Sequence, residues 1–172
     1  TFVEIKGGTI SVISSDDGIN GVSTTGEAIV ISGGEIYIYA GGDGVDSNST
    51  SSYDGILFSG GKAVIISYGR SDSSIDTERG YKYTGGNIVG ISIFGGMSSE
   101  SMESSPSFST IGTNSNINLQ ANSILAIKNI VEIKMPSIIN ASVVYLGSNS
   151  ASISSTSSTT SSLNANGVYW NI

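Results

Sequence analysis

A chain of 172 residues with 12% charged residues, 23 glycines and 2 prolines is too uncharged for a disordered segment and too rich in turn formers for a helical protein. Its net charge of −7 has no compensating basic stretch, so nucleic acid and anionic membranes are poor partners, and no apolar run approaches the ~18 residues that cross a bilayer. The absence of Cys and His removes disulfides, thiol chemistry, the commonest general base and the commonest transition-metal ligand.

Residues 1–96 are a repeat. Glycine pairs begin at Gly7, Gly33, Gly60 and Gly85, in steps of 26, 27 and 25 residues. A period of that length belongs to a stacked, solenoidal fold. Aligned on the pairs, Val3, Ile29, Ile56 and Tyr81 share one column, and Ile5, Ile31, Phe58 and Tyr83 the next. Ile10, Ile36, Ala63 and Ile88 form a third, and Val12, Ile38 and Ile65 a fourth. Alternation with period two marks each segment as a strand. A shorter strand carries Ile19, Val45 and Ile75. Three short strands per coil, apolar residues inward and identical positions ~4.8 Å apart, predict an all-β, right-handed parallel β-helix. Glycine suits the corner between two strands because it tolerates φ > 0. Thr9, Glu35, Lys62 and Asn87 make an outward column in which Glu35 and Lys62 are neighbours of opposite charge.

Residues 97–146 change character. Met97–Pro106 is an acidic, Ser-rich crossing, and Asn116–Ile127, Val131–Pro136 and Ser142–Leu146 then read as antiparallel strands of a small appendage that caps one end of the helix. Residues 147–162 are low-complexity Ser/Thr, predicted as a linker, and residues 163–172 end in an apolar strand-like segment expected to dock. The chain starts inside a rung at Thr1, so either a removed leader or a longer protein is expected, and the edge at Thr1–Lys6 invites pairing with another chain. Asn48 and Asn140 lie in N-x-S/T acceptors.

Chemistry gathers in the turns. The alignment stacks Asp17 on Asp43 on Asp72, with two extra residues in the third turn, and Asn20 on Asp46 on Asp76. Carboxylates one rung apart repel by roughly 3 kcal/mol at an effective dielectric near 20, and a cation relieves this. Hard oxygen donors in a Gly-rich turn suit calcium, although Asp-Gly pairs are also ordinary turn formers. Gly41–Asp46 looks like one calcium-binding nonapeptide, but it occurs once and at the wrong period. A hydrolase could use the clustered aspartates as acid and base, and calcium with Arg70, Arg79 or Lys82 near Asp72 and Asp76 could support proton abstraction from a uronic acid. These three and Tyr37 are the candidate substrate-binding residues, yet charge balancing at the surface explains the basic ones as well. Among the tyrosines at 37, 39, 53, 68, 81 and 83, Tyr37 points outward by alternation, where stacking on a sugar and cross-strand packing on an exposed face are equal readings, whereas Tyr81 and Tyr83 belong to the core of the last rung.

The phrases GGTISVISSDDGIN (Gly7–Asn20), GDGVDSN (Gly42–Asn48) and Ile75-Asp76 leading to Gly85-Gly86 resemble, in order and spacing, a family of secreted carbohydrate-binding proteins with a pectate-lyase-like β-helix. The resemblance extends to about Leu146. It implies an extracellular, non-catalytic protein that binds calcium at its Asp-Gly turns and acidic, pectin-like polysaccharide. Asp17, Asp43, Asp46 and Asp76 match the motifs directly; Asp16, Asn20 and Asp72 stand beside them. Family members usually carry further rungs before the first D-D-G turn. A structural subunit, polymerising through open helix ends or by strand donation into a filament or surface layer, is the alternative.

Overall fold

The computed structural model describes residues 1–49, 55–93, 112–136, 139–147 and 151–172. The Met97–Pro106 crossing and Tyr53 lie outside them.

The repeat builds a β-solenoid. Its long strands β1 (Val3–Ser14), β3 (Ile29–Ala40), β5 (Ile56–Ser67) and β7 (Tyr81–Ile93) stack in parallel, and so do the three-residue strands β2 (Ile19–Gly21), β4 (Val45–Ser47) and β6 (Ile75–Thr77). Every apolar column pairs in the expected register: Val3↔Ile29↔Ile56↔Tyr81, Ile5↔Ile31↔Phe58↔Tyr83 and Ile10↔Ile36↔Ala63↔Ile88. Three separate strands per coil are not found. Each Gly-Gly bends one long strand instead, because the ladder bonds run along the solenoid axis and continue on both sides of the corner. The second glycine of each pair has φ between 82° and 101° (Gly8, Gly34, Gly61, Gly86), a backbone that other residues adopt only under strain.

Inside the coils Ile29, Ile31, Ile36, Ile38, Phe58 and Ile65 are fully buried, with Tyr81 edge-on to Phe58 at a ring separation of 5.9 Å. Tyr83 packs on this core, and its hydroxyl donates to the Gly86 carbonyl (2.9 Å).

The remaining strands are β8 (Gly112–Leu119), β9 (Ile124–Ile127), β10 (Val131–Lys134), β11 (Ile139–Leu146), β12 (Ile153–Thr156) and β13 (Val168–Trp170). Strand β11 runs antiparallel to β7, and β8 pairs with β11, so the cap extends the solenoid's own sheet in the order β1-β3-β5-β7-β11-β8. Both faces of β11 are used. Val144 and Leu146 close the solenoid core, whereas Ala141, Val143 and Tyr145 join a second core. Asn116–Ile127, expected as one strand, is broken at a turn through Asn122 (φ 64°).

That second core is larger than a cap requires. An antiparallel sheet, ordered β12-β9-β10-β13, covers the outward face of β3, β5 and β7. Leu125, Ile127, Val131, Ile133 and Val168 from this sheet meet Tyr37, Val64, Ile66, Val89 and Ile91 from the solenoid. The outward ring of Tyr37 is therefore covered and only 9% exposed. The Ser/Thr run predicted as a linker contains β12, which pairs with β9 and sends Ile153 toward this core. The terminal segment docks as expected, with β13 antiparallel to β10. Glu35 and Lys62 are register neighbours, but each bonds to the C-terminal segment: Glu35 accepts from Asn164 (3.3 Å) and Lys62 donates to the backbone oxygen of Ile172 (2.7 Å). Their geometry is fixed by the tail, not by each other.

Among the described residues no helix is long and apolar enough to cross a membrane.

Candidate metal and ligand site

The site forms where each long strand ends and turns into a short one. Ile19, Val45 and Ile75 point into the coil, so the next residues, Asn20, Asp46 and Asp76, share one outward row, paired Asn20↔Asp46↔Asp76. This is the stack that the alignment predicts. The Asp-Gly turns pack tightly at Gly44. A Cβ there would lie 2.2 Å from the Ile65 Cγ2 and 2.5 Å from the Ser74 carbonyl, so only glycine lets the rungs close up.

The other predicted stack is corrected. Counting back from Val45↔Ile75, Asp43 is level with Ser73, and Asp72 is level with Gly42. Ladder bonds agree, since the Gly44 N–H donates to the Ser73 carbonyl at 2.9 Å. Seven residues separate Ser67 from Ile75, against four in each earlier rung, so the third turn has three extra residues instead of two. Ser73 takes the aspartate's place and its N–H donates to Asp43 Oδ1 (2.6 Å). Asp72 folds back over Gly69 while remaining near enough to act on Asp43.

Asp43, Asp46 and Asp76 come together. Each offers a carboxylate oxygen, and these oxygens lie within 4.8 Å of one another. Asp17 joins from the side: its Oδ1 accepts from the Asp43 N–H (3.0 Å), and its Oδ2 accepts from the Asn20 amide (3.1 Å). The same amide donates to Asp46 Oδ2, as does Asn48 at 2.6 Å. Asp46 is only 4% exposed. Burial, together with the neighbouring Asp76, Asp72 and Asp17 carboxylates, pushes Asp43 up to about 7 against the pull of the Ser73 N–H. Burial and the Asp17, Asp76 and Glu78 charges push Asp46 up to about 6, with Asn48 opposing. Protein groups thus leave a concentrated negative charge only partly compensated.

These donors fit calcium. Two ligands of one calcium ion lie at most about twice the ~2.3–2.6 Å metal–oxygen distance apart, which matches the 4.8 Å spacing, and all the donors are hard oxygens. Asn48 and Glu78 were not among the predicted residues. Asn48 was legible as the last residue of GDGVDSN, two positions after Asp46 and just past the end of β4.

None of the predicted ligand-binding side chains is a member of this cluster. Arg70 is exposed in the turn that carries Asp72, Arg79 is exposed after β6, and Lys82 is half-buried in β7. Tyr37 is under the outer sheet.

A family model described as carbohydrate-binding domain-containing protein matches residues 2–131. No curated protein and no solved structure matches the chain significantly.

Proposed function

The chain belongs to the carbohydrate-binding domain family, and from that premise we propose that it is an extracellular, non-catalytic module that binds acidic, pectin-like polysaccharide with the help of calcium. The observation that carries this reading is the carboxylate cluster of Asp43, Asp46 and Asp76. Calcium takes 6–8 oxygen ligands in most protein sites, and three aspartates with an amide oxygen from Asn20 or Asn48 leave positions for oxygens from outside the chain. A uronate carboxylate is such a ligand. It carries the charge that a calcium-loaded site attracts and a calcium-free acidic site repels. Arg70 in the turn before Asp76, Arg79 after β6 and Lys82 in β7 would meet further uronates along the polymer.

Retention on immobilised polygalacturonate tests this. Binding is expected in calcium, and it should be lost in EDTA and in an Asp43→Asn/Asp46→Asn variant. Equal retention with and without calcium would overturn the reading.

End-to-end assembly is the second reading. It is favoured by β1, which is paired on one side only among the described residues and displays Ile13 at 76% exposure, with Phe2 just before it at 58%. Sedimentation of the purified chain would show concentration-dependent oligomers, whereas a monomer throughout would dismiss it.

A further inference from the structure

The outer face of the C-terminal sheet carries a groove of about 340 Å³ that the calcium site does not use. Its floor is one row across four strands. Ser154 pairs with Ala126, Ala126 with Glu132, and Glu132 with Tyr169. Flanking residues Leu125, Ile127, Val131 and Ile133 turn inward to the second core, so by alternation this row faces out. Ala126 is small and stands between larger side chains, which makes the row a trough. Lys128 and Asn171 stand at its rim.

Glu132 is held as an acceptor. The Thr159 hydroxyl donates to its Oε2, and the Thr160 hydroxyl donates to its Oε1 at 2.6 Å. These bonds, with further ones from the Thr160 N–H and the Ser161 hydroxyl, hold its carboxyl below the usual carboxylate range and orient its plane. Both threonines come from the Ser/Thr run after β12, so that run braces a carboxylate. Among the described residues, the Lys128 ammonium, the Tyr169 hydroxyl and the Asn171 side-chain amide have no protein partner.

We propose that this groove is a second saccharide site, independent of calcium, that takes a neutral oligosaccharide across the Ser154–Ala126–Glu132–Tyr169 row. Tyr169 supplies a ring face for the apolar side of a sugar. Glu132 accepts from a sugar hydroxyl that replaces one of its Ser/Thr donors, and Lys128 and Asn171 donate to others. An ionised Glu132 on the floor disfavours a uronate there, so the ligand differs in class from that of the acidic turns. The volume falls within the ~300–1,000 Å³ of small-molecule sites. Glu132, Ser154, Tyr169 and Asn171 lie beyond the residues 2–131 matched by the family. Sugar as the ligand class rests on the family membership; the position rests on the groove.

The test is an NMR titration of the whole chain in EDTA with gluco-, manno- and xylo-hexaoses and, separately, a galacturonate hexamer. At least one neutral hexaose should shift amide resonances of β9, β10 and β13. Tyr169→Ala should weaken that binding by about tenfold or more, while Tyr169→Phe, which keeps the ring, retains it. Glu132→Gln should weaken it as well, with the spectrum still folded. No shift with any neutral hexaose, shifts unaffected by Tyr169→Ala, or a preference for the galacturonate hexamer would each overturn the proposal. Because calcium is absent throughout, none of these results bears on calcium-dependent retention by polygalacturonate.

Discussion

Replacing Asp43 and Asp46 together by asparagine should move stability in opposite directions with and without calcium. The carboxylate oxygens of the cluster lie within 4.8 Å, where two full charges repel by roughly 3 kcal/mol at an effective dielectric of 20. Asp43 is only partly buried, so solvent screening reduces this to about 1–2 kcal/mol for the double change. Asparagine keeps an acceptor for the Ser73 N–H and for the Asn20 and Asn48 amides, which isolates charge as the variable. In EDTA the variant should therefore be the more stable protein. A chain of this size gains ~2–4 °C in Tm per kcal/mol, so the rise should be roughly 2–8 °C. In calcium the order reverses. Free ion at a hundred times Kd adds ~2.7 kcal/mol to the wild type and nothing to a protein that has lost the site. Scanning calorimetry of both proteins, in EDTA and in calcium, gives four transition temperatures. A wild type unmoved by calcium, or a variant raised as much as the wild type, would refute the electrostatic account. So would a variant less stable than the wild type in EDTA.

In the absence of metal, stability should fall as pH rises from about 4 to about 7. The folded pKa values of Asp43 and Asp46 are raised above the 3.8 of a free aspartate, so between those limits the folded chain holds protons that the unfolded chain has released, and rising pH favours unfolding. The loss should be on the order of 1–2 kcal/mol after allowance for screening, read from urea midpoints in EDTA; a flat or rising profile would count against it. Gly61→Ala should cost about 2–4 kcal/mol, because φ is 82° and the new Cβ would stand 2.9 Å from the Gly33 carbonyl carbon. An unchanged denaturation midpoint would contradict the bent-corner reading. Ile66→Ala and Ile13→Ala, in one column of the long strands, make a matched pair. The first should cost about 2–5 kcal/mol beneath the outer sheet, and the second, 76% exposed, less than about 0.5 kcal/mol. Equal costs would mean that the outer sheet does not seal the second core.

The solenoid and its register were legible because each rung repeats the same local instruction: a glycine pair at the corner, alternating apolar residues, and a turn before a short strand. Repetition converts local pattern into long-range pairing, so Val3, Ile29, Ile56 and Tyr81 could be aligned by counting. Counting failed where the repeat changes length. The third turn holds three extra residues, and only the Val45↔Ile75 pairing shows that Ser73, not Asp72, sits level with Asp43. Asp46 and Asp76 were placed correctly because the residues just after Val45 and Ile75 leave no room for slippage.

What the tertiary structure alone decided is the outer sheet. Strands that are buried on both faces read as continuous apolar runs instead of alternating ones, and Ala63-Val64-Ile65-Ile66 and Val143-Val144-Tyr145-Leu146 are such runs. The runs reveal that a second face is covered. They do not identify the cover, because Leu125, Ile133 and Val168 reach that face from segments with no repeat to align. Burial of Tyr37 and the groove at Glu132 and Tyr169 follow from that packing. Charge in the acidic turns was written along the chain, whereas the surfaces made by the outer sheet depend on contacts between segments that share no pattern.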